Sequence, residues 1–170
     1  MVRLIVYNIE YCEGIEGIWY QYLKFWTVFF PPKHLEDKMI EALKKLKPDI
    51  LTLIEADTGS LRSRGIDQVT YLEKKLGFHS FVEKIKYPLQ GWLKLFHHVP
   101  ILDKQANAIV SRYKLEHVKY HLFHEGTKRV VIEALVKLPQ KVTLLVAHLA
   151  LGKKTRAKQI AELINIVNSI

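Results

Sequence analysis

The sequence contains little cysteine and no long apolar segment, and both absences narrow the class of protein that it encodes. Its 170 residues include one cysteine, Cys12, which excludes an internal disulfide and is more typical of a small buried residue than of a nucleophile. No apolar run approaches the roughly 20 residues of a membrane-spanning helix. No signal-peptide pattern precedes the first apolar stretch, so we expect a cytoplasmic protein without a transmembrane segment.

Acidic residues are also scarce relative to basic ones. The 26 lysines and arginines outnumber the 17 aspartates and glutamates, which gives a formal net charge of +9. Such an excess favours phosphate-bearing partners through counterion release and electrostatic steering. A lysine-rich solvated exterior explains the same composition, so both interpretations stay open. The hydrophobic fraction of 49% is that of a globular domain.

The apolar pattern predicts an α/β protein. Amphipathic periodicity predicts helices over 33–46 and 153–168, and a third helix runs from an Asp67 N-cap to a stop at Gly77. Short runs rich in β-branched residues predict seven strands, at 2–9, 50–55, 78–85, 105–111, 117–123, 129–138 and 141–148.

Three of these predicted strands carry a polar residue at or near their ends. Asn8 follows the first apolar run, Glu55 follows the second, and His148 follows the last. In α/β sheets, ligands collect at the carboxyl ends of strands. Taken alone, a carboxylate just past a strand is usually a solvated loop residue, and a histidine at a strand end is more often structural than catalytic. The series of three nevertheless indicates a shared site.

The motifs around these residues occur in a recognisable order: Tyr7-Asn8-Ile9-Glu10, Ile54-Glu55-Ala56-Asp57, Asn107-Ala108-Ile109-Val110-Ser111 and Ala147-His148-Leu149. The series resembles the endonuclease/exonuclease/phosphatase superfamily, the metal-dependent phosphodiesterases and phosphomonoesterases related to deoxyribonuclease I. The resemblance extends from Val2 to about Ile166. It implies a deoxyribonuclease I-like β-sandwich flanked by helices, here mostly its first sheet and the helices of that sheet, in one incomplete domain over 1–170.

The resemblance also implies roles for individual residues. Glu55 is the expected ligand of a catalytic Mg²⁺ or Mn²⁺, and Asn8 is expected to help hold that metal and the scissile phosphate. His148 is expected to contact a phosphate oxygen and stabilise its growing charge. Asn107 and Arg129 are expected to bind substrate.

A turn with two arginines follows Glu55 and adds one more candidate. Arginine forks match phosphate oxygens, so Arg62 is a candidate for substrate binding beside the metal. Alternatively, Asp57 forms a purely structural salt bridge with an arginine of this turn.

The second half of the family's active site is missing from the chain. The superfamily uses an aspartate of a Gly-Asp-x-Asn motif as general base, together with a late Asp-His pair, and no aspartate here lies in either context. A general base typically contributes 10²- to 10⁴-fold, so we expect little or no hydrolase activity from this chain alone. A complementing C-terminal half or a second copy would supply the rest. We also expect the inner face of the first sheet to be uncovered.

Two functions therefore remain as hypotheses. The first is a metal-dependent phosphodiester hydrolase, inactive in isolation, with nucleic acid favoured over phospholipid as substrate. The second is a non-catalytic module that binds nucleic acid or anionic lipid through basic and aromatic surface. The aromatic segments 17–30 and 87–96 fit base stacking, contact with lipid, or packing on each other equally well.

Overall fold

A computed structural model describes residues 1–9, 33–60, 63–85 and 104–170, with the backbone alone for 33–36. Cys12, Arg62 and the aromatic segments 17–30 and 87–96 lie outside these ranges, so the interpretations that involve them stay predictions. The described part contains three helices and seven strands, in the order β1 (Leu4–Asn8), α1 (Lys33–Leu46), β2 (Ile50–Asp57), α2 (Gln68–Leu76), β3 (Ser80–Ile85), β4 (Gln105–Ser111), β5 (Leu115–Leu122), β6 (Val130–Val136), β7 (Val142–Ala147) and α3 (Lys153–Asn168).

The strands form two sheets that pack face to face. The first sheet has the order β1-β2-β4-β3, with β1 parallel to β2 and the other pairs antiparallel. The second sheet is an antiparallel β5-β6-β7 meander. A buried aliphatic layer fills the space between them, with Ile54 and Ile109 from the first sheet against Ile132 and Val146 from the second. The predicted α/β sandwich is confirmed.

The expectation that the inner face of the first sheet is uncovered is wrong for most of that sheet. The inner residues of β2 and β4, such as Ile50 and Ile109, are almost completely buried because the second sheet lies against them. The edge strand β1 keeps an open inner face among the described residues. Leu4 and Val6, which pair with Ile50 and Thr52, are 46% and 68% exposed.

Helices α1 and α2 cover the opposite face of the first sheet. Met39 and Leu43 of α1 and Leu72 of α2 pack in one cluster with Leu51 and Leu53 of β2. The predicted ends of α2 are confirmed, because the Asp67 carboxylate accepts hydrogen bonds from the first-turn backbone N–H groups and Gly77 adopts a left-handed conformation with φ 67°.

Helix α3 follows β7 and leaves an apolar stripe uncovered. Ile160, Ile164 and Val167 lie on one face at helical spacing and are each between 42% and 54% exposed. In the described ranges, no helix is long and apolar enough to cross a membrane.

Glu83 on β3 carries an unusual carboxyl group on the helix side of the first sheet. It pairs with Ala108 of β4, and none of the described residues forms a hydrogen bond to its buried Oε2. Burial, together with the nearby charge of Asp67, raises the pKa of Glu83 from 4.5 to about 7. The folded state therefore favours the protonated carboxyl group, whereas the unfolded chain ionises near pH 4.5.

This shift predicts that the protein loses stability as the pH rises from about 4.5 through 7. The folded state then binds more protons than the unfolded state, so each increase in pH costs free energy. Allowing for solvent screening, we expect a loss of about 1–2 kcal/mol between pH 5 and pH 8, measured by urea denaturation. Glu83→Gln is expected to remove this dependence, and Glu73→Gln on α2 is the matched control. An equal loss of stability with pH in Glu83→Gln would assign the dependence to another group.

Candidate active site

The candidate site lies where the buried layer between the two sheets ends. Asn107 precedes the buried Ile109 of β4 by two residues, and His148 follows the buried Val146 of β7 by two. Alternate residues along a strand share a face. Both polar side chains therefore continue the inner layer toward its rim, although they come from different sheets.

A β-bulge presents Glu55 to this rim. Between Leu53 and Ala56 the pairing of β2 with β4 shifts by one residue, so Ile54 and Glu55 together face Asn107. Glu55 adopts a left-handed backbone conformation with φ 62°, which costs a non-glycine residue about 1–2 kcal/mol. Strain of this kind is typical of positions whose side chain has a functional role.

The turn that follows Glu55 is held by a buried carboxylate. Asp57 is completely buried, and its Oδ1 accepts hydrogen bonds from the backbone N–H groups of Gly59 and Ser60 and from the hydroxyl of Ser63. Its own backbone N–H donates to the side chain of Gln68 at 2.9 Å. These contacts fix the end of β2, which keeps Glu55 in its strained conformation.

Glu55, His148 and Lys128 form one compact cluster. Glu55 Oε1 lies 3.4 Å from His148 Nδ1 and 3.5 Å from Lys128 Nζ, and Nζ lies 2.7 Å from His148 Nε2. Their side chains are only 15–19% exposed. Because an ammonium group only donates, Nε2 accepts here, and the ring proton lies on Nδ1 facing Glu55. Glu55 and His148 thus lie close together, as predicted, while their catalytic roles stay predictions.

Lys128 was not predicted from the sequence, which pointed instead to its neighbour Arg129. Arg129 Nε donates a hydrogen bond to the carbonyl oxygen of Phe123, and the Phe123 backbone N–H donates back to the Arg129 carbonyl. This pair closes the β5–β6 turn, so the described contact of Arg129 is structural and its contact with substrate stays a prediction. Lys128 lies two residues before the buried Val130, a spacing that identifies the side chain directed to the inner layer.

Gln159 of α3 anchors both segments that bring Lys128 and His148 together. It is completely buried, and its Nε2 donates to the carbonyl oxygens of Glu125 and Lys128, both at 2.9 Å. Its Oε1 accepts from the backbone N–H of Ala150 at 2.8 Å, just after His148. One side chain therefore fixes the β5–β6 turn and the end of β7 relative to each other.

The β5–β6 turn needs a glycine to admit this amide. Gly126 has a φ of 97°, and a Cβ at this position would lie 2.7 Å from Gln159 Nε2. Any larger residue at position 126 would push Gln159 away. It would also have to adopt a backbone conformation that L residues rarely adopt.

Two asparagines complete the surroundings of Glu55. Asn8 is the exposed last residue of β1 and pairs with Ile54, directly beside Glu55. Asn107 is only 1% exposed, and its buried Oδ1 has no hydrogen-bond partner within the part of the chain that the structure describes. An unsatisfied buried acceptor costs about 1–3 kcal/mol of folding free energy. The Asn107 oxygen therefore destabilises the fold unless a ligand binds to it.

This oxygen makes the site suitable for a weakly held divalent metal. Mg²⁺ prefers oxygen ligands and is usually bound through one or two carboxylates, with water and substrate phosphates supplying the rest. The Glu55 carboxylate and the Asn107 Oδ1 fit this preference, although Lys128 shares the carboxylate and lowers its affinity for a cation. The described ranges contain no group of three or more His, Cys, Asp or Glu that could hold a metal ion by itself.

The sequence of the chain matches no family model and no curated protein. Solved structures, in contrast, match over most of its length. An endonuclease/exonuclease/phosphatase family protein from Leptotrichia buccalis C-1013-b superimposes on 97% of this chain with a TM-score of 0.61 and 11% identity. The chain has the endonuclease/exonuclease/phosphatase fold. TDP2 from Caenorhabditis elegans matches 99% of the chain with a TM-score of 0.62 and 17% identity. TDP2 from D. rerio, complexed with a single-strand DNA product, matches 78% with a TM-score of 0.52 and 19% identity.

The chain spans only part of the length of the structures that it matches. The chain spans 62% of the Leptotrichia protein, 42% of the C. elegans protein and 45% of the D. rerio protein. The predicted resemblance is confirmed at the level of the fold. At these sequence identities the match establishes the fold alone.

Proposed function

We propose that the chain carries the metal- and phosphate-binding half of a divalent-metal-dependent phosphodiesterase site. One observation supports this most strongly: a strained bulge holds Glu55 within 3.4 Å of His148 and opposite Asn107 in the strand register, and the buried Asn107 Oδ1 has no hydrogen-bond partner among the described residues. Both the strain and the unpaired oxygen cost folding free energy. Binding of a cation and a phosphate at this position would offset both costs.

Each residue of the site carries a chemical group suited to one step of metal-dependent phosphodiester binding. Glu55 and Asn8, together with Asn107, would hold Mg²⁺ or Mn²⁺. When bound, such a cation offsets phosphate charge and activates water. With Nδ1–H directed at Glu55, a proton on Nε2 makes His148 a donor to a phosphate oxygen, where negative charge grows during hydrolysis.

We also propose that this chain alone binds substrate without cleaving it, because no aspartate of the sequence lies in a Gly-Asp-x-Asn or Asp-His motif. The remainder would come from a complementing C-terminal half or from a second copy. The open inner face of β1 at Leu4 and Val6 and the apolar stripe of α3 are surfaces that such a remainder would cover. The chain also spans only 42–62% of the three structures described above.

Nucleic acid is the proposed substrate class. The net charge of +9 favours a polyanion over a neutral substrate, and D. rerio TDP2 has been seen with a single-strand DNA product. We propose a cytoplasmic location, where nucleic acid and Mg²⁺ are both plentiful.

Binding of a fluorescently labelled single-stranded decanucleotide tests the proposal. We expect Mn²⁺ to tighten binding about tenfold in the wild-type protein, because the cation joins Glu55 to a phosphate. Glu55→Gln is expected to abolish this metal-dependent increment and keep the metal-independent binding. Fluorescence anisotropy measures the affinity, and gel electrophoresis of the same samples detects cleavage.

Glu41→Gln on the exposed face of α1 is the matched control and is expected to keep the increment. Binding that does not respond to metal in the wild-type protein would contradict the proposal and favour the non-catalytic binding module. Rapid cleavage by the wild-type chain, lost in Glu55→Gln, would show that the site is complete without a partner.

A further inference from the structure

Lys128 has the features of a residue that binds substrate rather than one that only neutralises Glu55. Its Nζ lies 3.5 Å from Glu55 Oε1, which is long for a hydrogen bond, and 2.7 Å from His148 Nε2. An ammonium group has three N–H donors. With Nε2 accepting one of them, the contact to the carboxylate is loose, and donor capacity remains for an anion at the rim.

The position of Lys128 is fixed independently of its side-chain contacts. The carbonyl oxygen of Lys128 accepts a hydrogen bond from the completely buried amide of Gln159, and Gly126 leaves room for that amide. The same Gln159 holds Ala150, which follows His148. The backbone is thus arranged so that this lysine faces the histidine, whatever the side chain binds.

The distance to His148 places Lys128 within reach of the same ligand atom. A ligand oxygen that lies one hydrogen-bond length from His148 Nε2 cannot lie farther from Lys128 Nζ than the 2.7 Å between the two nitrogens plus that length. A small rotation of the flexible lysine side chain then places one oxygen between the two groups. A phosphate oxygen carries the negative charge that an ammonium group binds.

We infer that Lys128 is a phosphate-binding residue of this site, donating to a non-bridging oxygen of a nucleic-acid phosphate beside His148. This inference rests on the proposed function, and it adds the positive charge of a lysine side chain to that of the metal ion. Lys128 neutralises the Glu55 carboxylate, and it would turn to the phosphate on substrate binding.

Binding of the labelled decanucleotide without divalent metal, in EDTA, tests the role of Lys128 across a series of salt concentrations. Lys128→Met is expected to weaken binding about tenfold and to reduce the slope of log K against log salt by about 0.7, the value for one contact to a single strand. Lys128→Arg keeps the charge and is expected to retain the wild-type slope. Lys141→Met, at the opposite end of β7 from His148, is the matched control and is expected to leave affinity and slope unchanged.

The outcome separates this inference from the proposed function, because Glu55→Gln affects the metal-dependent increment and Lys128→Met affects the binding in EDTA. Thermal melting of each variant, with Lys128→Gln as a second neutral replacement, shows whether the fold is kept. Loss of binding in both neutral variants with unchanged melting supports the inference. A folded Lys128→Met that binds like Lys141→Met would overturn it even if metal-dependent binding through Glu55 is confirmed, and so would a wild-type protein that does not bind in EDTA.

Discussion

Gln159→Leu is expected to lower the free energy of unfolding by about 2–4 kcal/mol. The substitution keeps most of the side-chain volume but removes two donors and one acceptor from a completely buried position. The carbonyl oxygens of Glu125 and Lys128 and the N–H of Ala150 then lose their partners. Each unsatisfied group costs about 1–3 kcal/mol if water cannot reach it, and partial access to water lowers the sum.

Urea denaturation measures this loss, and Gln140→Leu in the exposed β6–β7 turn is the matched control. A glutamine-to-leucine change at that surface position is expected to alter stability by no more than about 0.5 kcal/mol. Gln159→Leu is also expected to weaken decanucleotide binding in EDTA, because Lys128 and the end of β7 are no longer held together. Equal unfolding midpoints and slopes for the two variants would show that the anchor contributes nothing measurable.

Most of the secondary structure could be predicted from local signals. The helices 33–46 and 153–168 have the predicted bounds, and α2 has the predicted Asp67 and Gly77 caps. These elements were predictable because caps and amphipathic periods act within a few residues of the chain. The strands occur where predicted, with ends that differ by up to two residues, since strand ends depend on pairing with distant partners.

The arrangement of the two sheets was predicted less well. The coverage of the first sheet by β5–β7 depends on how far one sheet extends across the other, and no local pattern encodes this. The chain supplies three strands that cover β2 and β4 and leave the inner face of β1 open.

The candidate site, like the fold, could be predicted only in part. Glu55 and His148 were found because each follows an apolar run and because the motifs occur in a known order. The bulge that turns Glu55 toward the rim depends on the pairing of β2 with β4 across about 50 residues of chain, so the sequence gives no sign of it. Lys128 was missed because lysines are common on a surface with a charge of +9, whereas the arginine beside it matched the superfamily pattern.

A second large effect is expected at the metal site, with opposite signs for stability and affinity. Asn107→Leu removes a buried, unpaired oxygen and is expected to raise the free energy of unfolding by about 1–2 kcal/mol. The same change is expected to weaken Mn²⁺ binding at least about tenfold, because the oxygen is one of the few ligands that the protein supplies. Asn165→Leu on the exposed surface of α3 is the matched control and is expected to change neither quantity.

Binding of Mn²⁺ itself tests the metal site most directly, measured by electron paramagnetic resonance on the wild-type protein, Glu55→Gln and Asn107→Leu. We predict one weak site per chain in the wild-type protein, and a loss of affinity of about tenfold or more in each of the two variants. Unchanged Mn²⁺ affinity in a folded Glu55→Gln, or no Mn²⁺ binding by the wild-type protein, would contradict the claim that the bulge and the buried asparagine form a metal site.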